Sequence, residues 1–335
     1  MPRSWRGCGR SGAATMADRM KKALPRVLVV GDANVDTLLY LETGAIPVGG
    51  ELPVEKRLRR LGGSAATTAR VLALLGVPVT LVAAVGAGDD DGHWLTEGLA
   101  ADGVDVSLVQ RRSEAGTGNI FILVTHEGER TMLCQRGANA FLDAGEPELA
   151  AAVERASWLH VSGYTLLEEK QRATALTAMR LASAAGIPVS LDPGVAPVMS
   201  ERGRAAIADA LATGWVNVFL PNELEAQKLG ASARLPRGGT FITKLGARGC
   251  VVRAVRTPPV DARDELVVPV PEVAFALPGG DGEVWHDSTG AGDAFAGGFI
   301  AARLAGYDTA ESALLANACG AMAVFGRLPR REQQG

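Results

Sequence analysis

The chain has 335 residues, 47% of them hydrophobic, and its 34 basic and 37 acidic residues give a formal net charge of −3. This length and composition are sufficient for a large buried core, whereas the interspersed charges give no basis for binding nucleic acid or an anionic membrane. No apolar run approaches the roughly 20 residues that a membrane span requires. The four cysteines lack CxxC or metal-ligand spacing, which indicates free thiols in a cytoplasmic protein.

Residues 1–25 are predicted to be a disordered N-terminal extension. The segment is rich in arginine and lysine, with Asp18 as its acidic residue. It lacks the apolar central region of a secretory signal, and Met16 and Met20 are candidate later starts. A disordered or over-extended terminus is therefore favoured over a nucleic-acid-binding arm, and a single folded domain is expected over residues 26–335.

Short apolar runs alternate with helical patterns from residue 26 onward. Strands buried on both faces are predicted at 26–30, 79–85, 158–161, 189–191, 216–220 and 240–242. Helices are predicted at 65–75, 94–101, 146–156, 168–185, 202–211, 223–229, 294–304 and 309–325. This alternation predicts a mostly parallel sheet covered on both faces, with ligands bound at the carboxyl edge of its strands.

Two regions, about residues 38–59 and 117–136, interrupt the alternation. Each contains two runs with the pattern of antiparallel strands, at 38–41 with 51–59 and at 119–125 with 130–136. From the residues alone, these strands are either a small β lid over a binding site or an edge hairpin.

The segment 253–287 is rich in Pro, Val and acidic residues. We interpret it as two edge strands and a mobile loop at 277–282.

The most informative segment is DSTGAGDAFAGGF, at residues 287–299. The small residues Gly290, Ala291 and Gly292 allow backbone N–H groups at a helix start to converge on an anion. Asp293 is unusual there, because a carboxylate beside an anion opposes binding unless it has to take up a proton. The alternative is a glycine-rich packing turn before an apolar helix.

Other phosphate-binding motifs are excluded. The chain has no Gly-Lys dipeptide and therefore no P-loop, and Phe295 stands where the dinucleotide fingerprint needs a third small residue. No HRD or DFG triplet is present, which excludes the protein-kinase pattern.

The segment 287–299 closely resembles the late signature of the ribokinase-like, PfkB-type carbohydrate kinase family, and the resemblance extends over most of the chain. It implies a ribokinase-like α/β fold, a three-layer sandwich with a mostly parallel central sheet and a small β lid, and a homodimer formed through that lid. It also implies ATP and Mg²⁺ as cofactors and leaves a monovalent cation open. In that family the Gly-Ala-Gly backbone is an anion hole for the transferring phosphoryl group, and the next aspartate deprotonates the acceptor hydroxyl. These roles fall on Gly290, Ala291, Gly292 and Asp293.

Asn34 and Asp36 follow the first predicted strand, where a carboxylate can accept two vicinal hydroxyl protons. The resemblance gives Asp36 this sugar-binding role, although the spacing also fits an Asx turn. Asn139, in the turn after the second lid strand, also matches a substrate-site turn of the family.

Gly62 and Gly63 precede a helix start of small residues that resembles the family's early signature. Thr67 departs from it, because an asparagine usually stands there and offers the sugar both a donor and an acceptor. The sequence Ser-Gly-Tyr at 162–164 replaces a sugar-binding glutamate of ribokinases proper. These departures leave the substrate open.

Asn222 and Glu225 resemble the family's Asn-x-x-Glu motif, which implies a nucleotide contact and a Mg²⁺ site reached through water. The same pair also fits an ordinary helix start. Thr243 and Gly246 resemble the loop beside the ATP phosphates, and Thr289 is assigned to the same nucleotide site.

Lys244 and Arg248 lie in that loop. Either side chain can offset phosphate charge, and a surface role is equally compatible with the sequence.

The sequence therefore predicts an ATP- and magnesium-dependent kinase that phosphorylates a primary hydroxyl of a small sugar or sugar-like compound. A nucleoside is the alternative substrate, in view of Leu-Asp-Pro-Gly at 191–194 and the pattern at Gly163. A non-catalytic sugar-sensing protein on the same scaffold is the alternative from another class.

Overall fold

The computed structural model describes residues 25–42, 44, 49–127, 129–255, 265–272, 288–325 and 332–334. The predicted N-terminal extension, except for Pro25, and the predicted loop at 277–282 lie outside these residues. In the described part of the chain, no helix has the length and apolar character needed to cross a lipid bilayer.

The strands in chain order are β1 Val27–Val30, β2 Asn34–Leu41, β3 Val54–Gly62, β4 Val79–Gly86, β5 Asp105–Arg112, β6 Gly118–Val124, β7 Arg130–Gln135, β8 Trp158–Ser162, β9 Val189–Asp192, β10 Val218–Phe219, β11 Thr240–Lys244, β12 Cys250–Ala254, β13 Glu265–Val268 and β14 Glu332–Gln334. The helices are α1 Ser64–Leu74, α2 Asp90–Ala101, α3 Glu146–Glu154, α4 Glu169–Ala184, α5 Val195–Met199, α6 Glu201–Ala212, α7 Glu223–Leu229, α8 Ala291–Leu304 and α9 Thr309–Val324.

The larger sheet has the strand order β13-β12-β11-β10-β9-β8-β1-β4-β5. Pairing is parallel from β5 through β11, and β12 and β13 add antiparallel strands at one edge. Because parallel strands all end on the same side, the segments that follow β1, β9 and β11 meet at one edge of the sheet.

Alternate residues of β1 pack on opposite faces of this sheet. Val27 and Val29 belong to a core shared with α1, α8 and α9. Leu28 and Val30 belong to a second core shared with α3, α4 and α6. Both faces are therefore covered by helices, as the apolar strand runs predict, and the predicted ribokinase-like three-layer fold is confirmed.

A smaller sheet has the order β14-β3-β2-β6-β7. The antiparallel pairs β2–β3 and β6–β7 confirm both predicted strand pairs, and β2 joins them through a parallel ladder with β6. Strand β2 starts at Asn34 rather than residue 38, because Asn34 is paired with both Gly62 and Gly118. Asn34 and Asp36 are therefore residues of a strand, on one face of it, and not of an Asx turn.

Other boundaries also differ from the sequence-based expectations. Helix α8 begins three residues before the predicted 294, since Gly290 takes a left-handed conformation (φ 78°) and caps it. Strand β5 was missed, because it is an edge strand of mixed polarity without alternation. Strand β14 was missed, because only its pairing with β3 defines it.

Candidate active site

Four segments meet at the carboxyl edge of the larger sheet. They are the start of α1, the end of β9, the end of β11 and the start of α8. Side-chain contacts connect them in two pairs: Ser64 contacts Asp293, and Lys244 contacts Asp192. Most of the chemistry predicted from the sequence falls in this region.

The glycine loop is the first turn of α8. Gly290 caps the helix, and the N–H of Ala294 donates to its carbonyl oxygen at 2.8 Å. Within the described part of the chain, the N–H groups of Gly292 and Asp293 meet no acceptor. Unpaired N–H groups at a helix start carry partial positive charge and bind anions.

The carboxylate of Asp293 lies in this first turn. Ser64 Oγ donates to Asp293 Oδ1 at 2.7 Å, and Thr68 Oγ1 donates to the Asp293 carbonyl oxygen at 3.2 Å. Burial, followed by the charge of Asp192, raises the pKa of Asp293 to about 7, against the opposing effects of Ser64 and Lys244. A carboxylate with a pKa near neutrality is suited to general base catalysis.

Lys244 is a mostly buried cation beside the glycine loop. Its side chain is 12% exposed and its ammonium donates to the Asp192 carboxylate. A Cβ atom placed on Gly292 would lie 3.1 Å from Lys244 Nζ. Burial alone lowers the pKa of a lysine, but the carboxylates of Asp192 and Glu225 outweigh burial and raise the pKa of Lys244.

Arg248 is on the surface. Its side chain is 65% exposed and its Nη2 donates to Glu223 Oε2 at 2.6 Å. Of the two basic residues of this loop, Lys244 therefore faces the glycine loop and Arg248 does not.

Asn222 and Glu225 form a complete capping box at the start of α7. Glu225 N–H donates to Asn222 Oδ1 at 2.8 Å, and Asn222 N–H donates to Glu225 Oε2 at 2.7 Å. Glu225 is buried, and burial, with the charge of Asp192, raises its pKa to about 7. Asn222 and Glu225 thus form the helix start that their spacing predicts. The Glu225 carboxylate also lies close enough to Asp192 and Lys244 to interact electrostatically with both.

The described residues contain no group of three or more histidine, cysteine or acidic side chains arranged as metal ligands. Magnesium retains several waters and needs few protein oxygens. The oxygens of Glu225 and Asn222 match the oxygen ligands that magnesium prefers, and Glu225 interacts electrostatically with Asp293 in the first turn of α8.

The other residues predicted for the nucleotide site are Thr243, Gly246 and Thr289. Thr243 precedes Lys244 at the end of β11, and Gly246 follows it in an exposed turn with a φ of 61° and open space around it. Thr289 Oγ1 accepts a hydrogen bond from Arg130 Nη1 at 2.8 Å, and Arg130 Nη2 donates to Ser288 Oγ at 2.8 Å. The smaller sheet thus contacts the glycine loop directly.

Asn139 and Asn34 form a buried amide pair. Asn139 Nδ2 donates to Asn34 Oδ1 at 2.7 Å and to the Ala33 carbonyl oxygen at 3.1 Å, and Ala33 N–H donates to Asn139 Oδ1 at 3.0 Å. Asn139 is fully buried. These bonds hold the start of β2 in place, and direct substrate contact by either side chain stays a prediction.

A cleft of about 80 Å³ opens between the smaller sheet, α1 and α8. Asp36 and Thr67 line it together with Thr289 and Gly290. A Cβ atom on Gly62 would lie 2.2 Å from the Asp36 carboxylate, so a larger residue at position 62 would displace that carboxylate.

The other two early-signature positions are at α1. Gly63, with a φ of 93°, precedes this helix and faces the backbone of residues 32–34. The methyl group of Thr67 would lie 3.2 Å from a Cβ on Gly290. The early signature and the glycine loop therefore pack against each other.

Comparison with known proteins identifies the family of this chain. The family model described as pfkB family carbohydrate kinase matches residues 24–331. The chain belongs to this family. It is 31% identical over 298 residues to the ATP-dependent ribose-1-phosphate kinase of Halopiger xanaduensis, covering 89% of this chain and 91% of the relative. It is 30% identical over 318 residues to a fructokinase of Salmonella typhimurium, covering 89% and 92% respectively.

A solved structure shows the same fold. The ribokinase of Arabidopsis thaliana, complexed with ribose and ATP, superimposes with a TM-score of 0.69 at 21% identity, covering 90% of this chain and 93% of that one. This PfkB-family chain is therefore a sugar or nucleoside kinase with a ribokinase-like fold.

Three residues of this PfkB-family site were not assigned from the sequence. Ser64 was noted only as part of the early signature, Asp192 only in connection with nucleoside substrates, and Arg130 only within a strand. A polar residue at a strand end or helix start was the available signal, but it does not identify the partner.

A buried ion pair supports the end of β1 beside the site. Arg136 donates to Asp32 from Nη1 at 2.9 Å and from Nη2 at 3.2 Å, and Gln171 Nε2 donates to Asp32 Oδ1 at 2.6 Å. Asp32 is almost completely buried.

We expect Arg136→Met to lower the free energy of unfolding by about 3–5 kcal/mol, because it leaves a buried carboxylate without its cation. Denaturant unfolding measures this change. Arg180→Met, which removes an exposed pair with Glu146, should cost about 0–1 kcal/mol. Equal losses in the two variants would show that the Asp32 pair is not a special support.

Proposed function

We propose that this PfkB-family kinase transfers the γ-phosphoryl group of ATP to a primary hydroxyl of a small sugar or sugar-like substrate, with Asp293 as the general base. The observation that carries the proposal is the position of the Asp293 carboxylate in the first turn of α8, beside the unpaired N–H groups of Gly292 and Asp293. A base and an anion site within one helical turn suit phosphoryl transfer, which depends on positioning and charge stabilisation.

The backbone of Gly290, Ala291 and Gly292 then forms the anion hole. The N–H groups of Gly292 and Asp293 are the unpaired donors that hold the phosphoryl oxygens as negative charge develops. The N–H of Ala291 donates to the Ser288 carbonyl oxygen at 3.2 Å and shapes the turn. Asp293 accepts the proton of the acceptor hydroxyl, and Ser64 orients the carboxylate through its hydrogen bond at 2.7 Å.

The nucleotide site is formed by Asn222, Thr243, Gly246 and Thr289. Glu225 and Asn222 would hold Mg²⁺, largely through water, and the bound ion would neutralise charge on the nucleotide phosphates. The chain's own contribution is to keep Glu225 buried and oriented by the capping box.

The acceptor site lies in the cleft at Asp36. Asp36 accepts the vicinal hydroxyl protons of the sugar, Gly62 and Gly63 allow close approach of backbone, and Asn139 holds Asn34 and the start of β2. The relatives support a sugar or nucleoside acceptor, since they are named a ribose-1-phosphate kinase, a fructokinase and an aminoimidazole riboside kinase.

A coupled assay for ADP release tests the proposal over pentoses, hexoses, ribose 1-phosphate, keto-deoxy acids and nucleosides. Turnover with one class of acceptor is expected. Turnover with nucleosides alone would select the nucleoside-kinase alternative. Binding of a sugar without any turnover would select the sugar-sensing alternative and overturn the proposal.

We also propose that two copies associate through the smaller sheet. Met132 and Leu133 of its edge strand β7 are 47% and 54% exposed, and exposed apolar side chains on an edge strand favour association. Light scattering should show a dimer for the native chain and a monomer for Leu133→Asp. An unchanged mass in Leu133→Asp would exclude this surface.

Substrate preference should respond to Thr67→Asn. The longer amide adds a donor and an acceptor beside the cleft, and a hydrogen bond contributes about 0.5–1.5 kcal/mol, or several-fold in affinity. We expect kcat/KM to rise for a ribose- or fructose-like sugar and to fall for the native substrate, whose space the amide takes. Thr67→Ser is the control, because it keeps the hydroxyl group and adds no amide. Thr68 is left unchanged, since it is buried and donates to the Asp293 carbonyl oxygen. An unchanged substrate ranking in Thr67→Asn would show that residue 67 does not face the acceptor.

A further inference from the structure

We propose that Lys244 is a further catalytic residue of this kinase, and that its ammonium group binds an oxygen of the phosphoryl group during transfer. This inference rests on the anion hole proposed above. It concerns a residue for which the sequence left a surface role equally open.

The position of the ammonium is the first argument. A Cβ atom on Gly292 would lie 3.1 Å from Lys244 Nζ, so the ammonium faces the backbone of the anion loop on the side where Gly292 carries no side chain. The N–H of Gly292 meets no acceptor in the described part of the chain. An anion bound at this first turn of α8 is therefore within reach of both the N–H group and the ammonium.

The hydrogen-bonding capacity of the ammonium is the second argument. A lysine ammonium has three N–H donors. Among the described residues, Asp192 is the hydrogen-bond acceptor that Lys244 meets. Its side chain is 12% exposed, so little water reaches the remaining donors. If the ion pair with Asp192 were only structural, the other N–H donors of Lys244 would have no reason to face the glycine loop.

The surrounding charge is the third argument. Asp192, Glu225 and Asp293 all interact electrostatically with Lys244. The cluster therefore places three acidic side chains around one ammonium group. A fixed cation is what permits phosphate to approach such an acidic group.

The chemistry is balanced without a proton from Lys244. The bond between the γ-phosphorus and the leaving oxygen of ADP breaks, and a bond to the acceptor hydroxyl oxygen forms. The hydroxyl proton passes to Asp293. Lys244 stays charged throughout and stabilises the negative charge on the transferring oxygens, while Asp192 fixes its position.

Lys244→Met tests this role, because it keeps the chain length and removes the charge. We expect kcat to fall by about 10²–10³-fold, as for loss of one donor to a developing oxyanion, while the Kd of ADP changes by less than about threefold. Aluminium fluoride mimics the transferring phosphoryl group, so with Mg²⁺ it should increase the affinity of the native enzyme for ADP. Calorimetry should show that Lys244→Met lacks this increase in ADP affinity. Arg248→Met makes the same charge change on the surface of the same loop, and it should leave both quantities unchanged.

A second variant separates catalysis from stability. Lys244→Met leaves Asp192 buried beside no cation, so the double variant Lys244→Met/Asp192→Asn should recover the melting temperature but not kcat. Recovery of kcat in the double variant would overturn the proposal, because Lys244 would then only balance Asp192. The proposal would also be overturned if Lys244→Met kept the native kcat and the native increase in ADP affinity caused by aluminium fluoride. If the native enzyme phosphorylates no acceptor and binds no ADP with aluminium fluoride, the proposed function itself fails, and this inference fails with it.

Discussion

Asp293→Asn is expected to lower kcat by roughly 10²–10⁴-fold and to change nucleotide affinity little, because the amide cannot accept the acceptor's proton and loss of a negative charge does not weaken phosphate binding. The amide keeps the size of the carboxylate and can still contact Ser64. Steady-state kinetics together with ADP binding measure the two effects. Asp209 is an exposed carboxylate of α6. Asp209→Asn is therefore the matched control, and its kcat and ADP affinity should equal those of the native enzyme.

The pH dependence of the native enzyme follows from the same group. Burial and Asp192 raise the pKa of Asp293 to about 7, and a base acts only when it is ionised. The kcat/KM of the native enzyme should therefore rise as pH increases through about 7 and level off above it. If Asp293→Asn retained more than about a tenth of native turnover and an unchanged pH profile, Asp293 would not be the general base.

Stability should change in the opposite direction from activity. The pKa of Asp293 is about 7 in the folded protein against an ordinary 3.8, so the folded state binds the proton more tightly than the unfolded chain. Ionisation between these two values therefore destabilises the fold as pH rises. Asp293→Asn removes this penalty, and its melting temperature should exceed that of the native enzyme at pH 8 but not at pH 4.

Gly292→Val should abolish measurable turnover. Gly292 is helical rather than left-handed, so backbone strain is not the reason. The added Cβ would lie 3.1 Å from Lys244 Nζ, and the branched methyl groups would displace the ammonium and cover the N–H groups of the anion hole. Loss of a single such donor already costs about 10²–10³-fold in kcat.

The control for Gly292→Val is a glycine further along the same helix. A Cβ on Gly298 would meet Cys319 Sγ at 2.7 Å, so Gly298→Ala should lower the melting temperature by overpacking while the folded enzyme retains kcat. Circular dichroism confirms folding of both variants. A folded, fully active Gly292→Val would show that the glycine loop is only a packing turn.

Much of the architecture is determined by local signals in the sequence. Continuous apolar runs such as 79–85 specify strands buried on both faces, because side chains alternate between two helix-covered faces. The local sequence also predicts the glycine loop, since only glycine adopts the left-handed conformation of Gly290 without strain. The family, the fold and the loop that carries Asp293 therefore follow from the sequence.

The sequence does not determine which side chains meet. Lys244 and Asp192 are 52 residues apart, and Ser64 and Asp293 are 229 residues apart. These pairs form because parallel strands bring their carboxyl ends to one edge of the sheet, where separate loops converge. No local period or capping signal encodes such a contact. The choice between a surface and an active-site role for Lys244, and the neutral pKa of Asp293, were thus decided only by the tertiary structure, which sets burial and the distances between charges.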